Sequence, residues 1–206
     1  RQGVPMPQPH RLTVTARPEV LLALTPILRE GVGIGLRPGL SLRQTMVQDL
    51  GFCPECVEER VQTVFLDGSP VDDIDADHAV AGCTLALAGS LPGVAGIAMR
   101  RGSPVGVFRE GIAHGVPHDV DAGRTGSGEG LAVTLKLFNS VAVECLAPVL
   151  GRGITLRARR LAELLTAAPD ALATASFSLD GQAMDRAGLV AALQGSNGQL
   201  RVQAVP

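Results

Sequence analysis

The chain has 206 residues, 46% of them hydrophobic and 18% charged, with a formal charge of -2. That length can bury a substantial core in one large or two small domains, and the balance excludes extended disorder. It also excludes a broad electrostatic pull toward nucleic acid or an anionic membrane, and with no Trp, no Tyr and 5 Phe the chain lacks rings for stacking bases.

Leu12-Thr13-Val14-Thr15-Ala16, with β-branched residues in alternation, predicts a strand. Pro18 suits a helix start, and Val20, Leu21, Leu24, Ile27 and Leu28 lie near helical spacing, with Pro26 breaking or kinking that helix. A short strand is expected near Ile34-Gly35-Leu36. Ser41 and Gln44 then form a capping-box pair, and Leu42, Met46, Val47 and Leu50 share one helical face that Gly51 ends. Val61 to Leu66 reads as a strand closed by Asp67-Gly68, followed by an Asp-rich loop and a strand from Cys83 to Ala88. Ala79 to Met99 carries no charge, but Gly82, Gly89, Pro92, Gly93 and Gly96 interrupt it, so a strand and a Gly/Pro loop are expected rather than a membrane span.

Beyond Gly96 the pattern changes. Strands are expected at Ile97 to Arg101, Val105 to Ile112 and Leu131 to Leu137, with a Gly- and Asp-rich loop over residues 115 to 130. Ser140 to Leu150 and Arg157 to Ala168 read as helices, Ala173 to Leu179 as a strand, and Asp185 as the cap of a helix holding Leu189, Val190 and Leu193. Asn197-Gly198 turns into a last strand through Leu200, Val202 and Ala204. An internal echo links Leu66-Asp67-Gly68 and Asp72 with Leu179-Asp180-Gly181 and Asp185.

Residues 11 to 96 thus run strand, helical segment, strand, capped helix, strand, loop, strand. With Leu12 to Ala16, Gly35 to Leu42, Val64 to Gly68 followed by Pro70-Val71, and Ala81 to Leu87, this stretch resembles the ubiquitin-like β-grasp sulfur carriers. That family includes the molybdopterin synthase small subunit and the thiamine-pathway carrier. Its apolar tail closing on two glycines matches Leu91-Pro92-Gly93-Val94-Ala95-Gly96. The resemblance implies a β-grasp fold and a partner-binding surface that takes in Gly93 and Gly96. A carrier activates its terminal carboxylate, whereas here Ala95-Gly96 runs on into Ile97, so carrier chemistry would require cleavage after Gly96.

Several side-chain groups are candidates for chemistry. Cys53-Pro54-Glu55-Cys56 is half of a zinc or redox site, and a metal reading takes Cys53, Cys56 and His78 as ligands, with Cys83 or Cys145 recruited from elsewhere. The alternative leaves these thiols structural. Asp73, Asp75 and Asp77 alternate like the start of a calcium loop, but His78 replaces the required Gly and Thr84 the closing Glu, which favours a solvated acidic loop. His114 and His118 with Asp119 and Asp121 could bind metal from a loop. Gly123 to Gly130 lacks the Lys of a phosphate-binding loop and reads as a flexible connection. Arg152, Arg157, Arg159 and Arg160 would meet an acidic partner or form the wet face of a helix.

These readings combine into an α+β protein with a tail (1–10), a β-grasp domain (11–96) and a mixed β/α domain (97–206). It would bind a protein partner or small ligand through Gly93, Gly96, Arg157, Arg159 and Arg160, without catalysis of its own. A metal- or thiol-dependent enzyme built on Cys53 and Cys56 is the alternative, with zinc as the ion. Four cysteines are too few for a disulfide-dense secreted scaffold, and no secretory leader is visible, so reduced thiols and a cytoplasmic location are expected. The apolar excess permits self-association.

Overall fold

The computed structural model describes residues 9–104 and 130–205, which form a mixed α/β protein. First come β1 (His10–Thr15), α1 (Pro18–Leu21), α2 (Thr25–Glu30), β2 (Val32–Leu36), α3 (Leu42–Gln44), β3 (Thr63–Leu66), β4 (Ser69–Pro70), β5 (Thr84–Ala88) and α4 (Gly93–Met99). After these come β6 (Leu131–Phe138), α5 (Asn139–Glu144), α6 (Leu146–Arg152), β7 (Ile154–Arg157), α7 (Ala158–Ala167), β8 (Ser176–Leu179), β9 (Gln182–Met184), α8 (Arg186–Gln194) and β10 (Gln199–Val205). The elements sort into two compact units, one of residues 24–152 and one that joins residues 1–23 to residues 153–206. Neither boundary falls near Gly96, where the sequence pattern suggested a division. Among the described residues no helix is long and apolar enough to cross a membrane.

The 24–152 unit carries five strands in the order β4-β3-β5-β6-β2. β5 and β6 are parallel; β2 is antiparallel to β6, and β3 is antiparallel to both β5 and β4. The β-grasp resemblance would set the strand at Leu12 to Ala16 beside β2, and β6 stands there instead. The residues explain the choice. β6 reads Leu-Ala-Val-Thr-Leu-Lys-Leu-Phe, and consecutive Val133, Thr134 and Leu135 are all buried, as in a strand covered on both faces. β1 alternates, with Leu12 and Val14 buried between more exposed neighbours, and fits a sheet with one wet face.

Residues 41 to 50 are helical as the capping box requires. Gln44 N–H donates to Ser41 Oγ, and Ser41 N–H donates to Gln44 Oε1. After α3 the helix widens into a π turn at Thr45–Asp49, where Leu50 N–H reaches back to Thr45 O. Leu42, Met46 and Leu50 are buried as the periodicity demands, but Val47 is only half-buried and Asp49 turns inward. Two further expectations fail. Residues 97–101 were expected as a strand, yet Gly93–Met99 is a helix. The single helix expected at Ser140 to Leu150 is two, α5 and α6, which meet at Cys145.

The second unit has the strand order β7-β10-β1-β8-β9. β1 and β10 are parallel, while β7, β8 and β9 join by antiparallel pairing. Helices α7 and α8 pack together, α7 against β7 and α8 against β8. Leu161, Ala162 and Leu165 of α7 and Leu189 and Leu193 of α8 are buried. Asp185 caps α8 by accepting the Gly188 N–H at 2.8 Å. The next residue, Arg186, donates to the carbonyls of Leu165, Ala168 and Ala171, which satisfies acceptors left open where α7 ends.

The internal echo corresponds to one structural device used twice. Asp67-Gly68 and Asp180-Gly181 are both two-residue turns with positive φ, at 50° and 79° in the first and 51° and 85° in the second. Asp67 exchanges hydrogen bonds with Thr84 at the head of β5, its Oδ1 accepting the Thr84 N–H at 2.7 Å. Asp180 does the same with Arg11 at the head of β1, accepting at 2.8 Å. Each unit therefore closes its hairpin onto a neighbouring strand by a carboxylate, with β5 and β1 in equivalent places.

Candidate functional site

Three of the four thiols converge in the 24–152 unit. Pro54 follows Cys53 and opens a short helical stretch that runs into a π turn at Cys56–Arg60. Cys53 is exposed, and its sulfur accepts the Cys56 N–H at 3.2 Å. Cys145 is buried where α5 ends, its N–H bonded to Val141 O at 3.0 Å. The Cys56 and Cys145 sulfurs lie 3.3 Å apart in a thiol–thiol hydrogen bond. Burial pushes the Cys56 thiol up, and pushes Cys145 up further, so both stay protonated at neutral pH. Glu144 beside Cys145 pairs with Arg60 at 3.5 Å, a second link between the same two segments.

The remaining candidates fall elsewhere. Cys83 is buried at the head of β5, as its place in an apolar strand predicts. His78 forms an isolated β-bridge with Ser41. Among the described residues, no group of three or more His, Cys, Asp or Glu side chains is arranged to hold a metal ion, so Cys53, Cys56 and His78 are not gathered into the zinc site the sequence offered. His114, His118, Asp119 and Asp121 lie outside the described residues. What the sequence reading missed is the pairing of Cys56 with Cys145, 89 residues on, for which no local pattern exists.

The acidic loop serves the start of α3. Leu42 and Arg43 N–H groups, which have no partner within the helix, donate to Asp77 O and Ile74 O at 2.9 Å each. Asp73 accepts from the Asp75 and Ala76 N–H groups, and Asp75 takes a two-pronged bond from Arg43, which also pairs with Glu58. The Arg43 guanidinium holds the Asp75 carboxyl below its ordinary range. Gly93 has a φ of 80°, and Gly96 sits inside α4 so close to the Leu91 carbonyl that a Cβ there would collide with it.

The arginines separate into two groups. Arg159 and Arg160 lie on α7 and both pair with Glu163, at 3.1 and 3.0 Å. Arg157 ends β7 and is exposed on the sheet itself. Register places it opposite Gln199, and places Arg201 opposite both Thr155 and Arg11. Buried Leu156, Leu200, Val202, Leu12 and Val14 face the other way. The opposite face thus presents Arg11, Arg157 and Arg201 beside Thr13, Thr15, Thr155, Ser176, Ser178, Gln199 and Gln203. No Asp or Glu occurs on any of these five strands. Comparison of the chain with protein-family models, with curated proteins and with solved structures finds no match.

Proposed function

We propose that both units are β-grasp-like and that the chain is a non-catalytic binding protein, holding an acidic protein partner on the polar face of the β7-β10-β1-β8-β9 sheet. The β-grasp reading is supported by a strand pattern common to the two units: a central parallel pair, an antiparallel strand on one side, and an antiparallel hairpin on the other. In the 24–152 unit β6 takes the place beside β2 that the opening strand takes in that fold.

The observation that carries the binding reading is the grouping of three exposed arginines, Arg11, Arg157 and Arg201, on one strand face. Arg11 and Arg201 are direct register partners on adjacent strands, which concentrates positive charge on this face. Guanidinium groups take carboxylates in two-pronged bonds. Surrounding hydroxyl and amide groups suit a polypeptide surface. The lack of an exposed ring on these strands, where Phe177 is buried, disfavours nucleic acid.

Binding of poly-L-glutamate to the full chain at low ionic strength tests this. An exposed ion pair contributes about 0.5–1 kcal/mol, so removing two in an Arg11→Ser/Arg201→Ser variant weakens binding about tenfold. Arg159→Ser/Arg160→Ser, on the helix, changes it less than twofold. Equal affinity in the strand variant, or equally tight binding of single-stranded DNA or inorganic phosphate, overturns the assignment.

A further inference from the structure

We propose that Cys56 and Cys145 form a reversible disulfide, and that exposed Cys53 is the thiol through which a low-molecular-weight disulfide delivers the oxidation. The argument starts from separation. The two sulfurs are already 3.3 Å apart and need to close by only about 1.2 Å to reach bonding distance. Cys56 stands between two possible partners. Its own N–H is bonded to the Cys53 sulfur, and its sulfur is bonded to that of Cys145. Access is graded the same way: Cys53 is exposed, Cys56 part-buried and Cys145 buried.

The exchange balances in three steps. Cys53 as thiolate attacks one sulfur of the small disulfide, and the other half leaves as a thiolate that takes up the proton Cys53 lost. Cys56 then attacks the Cys53 sulfur and expels the second half as a thiolate, which takes the proton Cys56 lost, leaving a Cys53–Cys56 disulfide. Finally Cys145 attacks the Cys56 sulfur; the Cys53–Cys56 bond breaks, and Cys53 departs with the electron pair and takes the proton from Cys145. Overall one small disulfide is reduced to two thiols, and Cys56 and Cys145 are oxidised. The order of stability follows from burial, which makes Cys145 a reluctant thiolate and so a poor leaving group once bonded. The bond closes a loop of 89 residues and ties the Cys56–Arg60 turn to the α5–α6 junction.

The test uses the full chain, reduced and then exposed to oxidised glutathione, with alkylation and peptide mapping over time. The expected end product is a Cys56–Cys145 linked peptide, preceded by glutathione on Cys53, with Cys83 still alkylated. Restricting the unfolded chain by so long a loop should raise the urea midpoint of the 24–152 unit by roughly 1–2 M, reversed by dithiothreitol. Cys56→Ser should trap glutathione on Cys53, and Cys53→Ser should slow formation of the linked peptide at least tenfold. An end product of Cys53–Cys56, or stable glutathionylation with no internal bond in the unaltered chain, overturns the proposal without reliance on any variant.

Discussion

Replacing Asp49 with alanine should destabilise the 24–152 unit by about 2–4 kcal/mol. Its carboxylate is 1% exposed and accepts the Arg37 backbone N–H and the Arg37 Nε, each at 2.6 Å. Arg152 lies 3.7 Å from the same group and also donates to Gly35 O. Losing a bond between a backbone N–H and an ionised acceptor costs about 1.5–3 kcal/mol. The Arg37 guanidinium is 56% exposed, so its share is nearer 0.5–1 kcal/mol. The Asp49→Asn variant keeps an oxygen for the backbone N–H and should cost about half as much. With no Trp or Tyr in the chain, urea unfolding is best followed by far-UV circular dichroism together with amide exchange in β2 and α3. At a slope of about 2 kcal/mol per molar urea, the alanine midpoint falls by roughly 1–2 M. A midpoint unchanged on Asp49→Ala, or Asp49→Asn as damaging as Asp49→Ala, would refute the idea that this carboxylate ties the π turn to Arg37.

Gly96→Ala should cost about 1–3 kcal/mol, because the added methyl meets the Leu91 carbonyl and α4 must shift; thermal melts report it, and a Tm equal to the parent's contradicts the close approach. A third expectation concerns acid. The Asp180 carboxyl is held below its ordinary range by the Arg11 backbone N–H first and His10 second. A carboxyl whose pKa is lower in the folded state stabilises that state fully above its unfolded pKa, and this contribution disappears as pH falls through the folded value. The second unit should therefore lose stability on acidification below about pH 4. Asp180→Asn should flatten that dependence, read as amide exchange in β8 and β9 across pH 3 to 6; an unchanged slope would count against the Asp180–Arg11 bond.

The strongest local signals in the sequence mark real elements. Ser41 and Gln44 cap a helix, Asp185 caps α8, and both Asp-Gly pairs turn hairpins, because each effect is decided within three or four residues of chain. Pairing across long distances was not legible. Leu12 to Ala16 looks like a suitable partner for β2, and only the comparison of a one-sided strand with the doubly apolar Leu131–Phe138 separates the two. The pattern of small residues at Gly93 to Ala98 fits a loop as well as a helix until the approach of Leu91 is known. At the thiols, Cys53-x-x-Cys56 announces itself, whereas Cys145 sits in an apolar helical run that gives no sign of facing Cys56. The arginine cluster misleads in a similar way: Arg157, Arg159 and Arg160 are neighbours in sequence but divide between a sheet face and a helix on which two of them share Glu163.

The parallel pairing of β1 with β10 has a consequence for biosynthesis. Residues 24–152 form a contiguous stretch that can settle while translation continues. The other unit needs one segment made before that stretch and one made more than 180 residues later, since His10 is matched to Leu200. Until Gln199–Val205 emerges from the ribosome, β1 must wait with the hydrogen-bonding edge that will meet β10 unsatisfied, an exposed strand edge of the kind that chaperones guard.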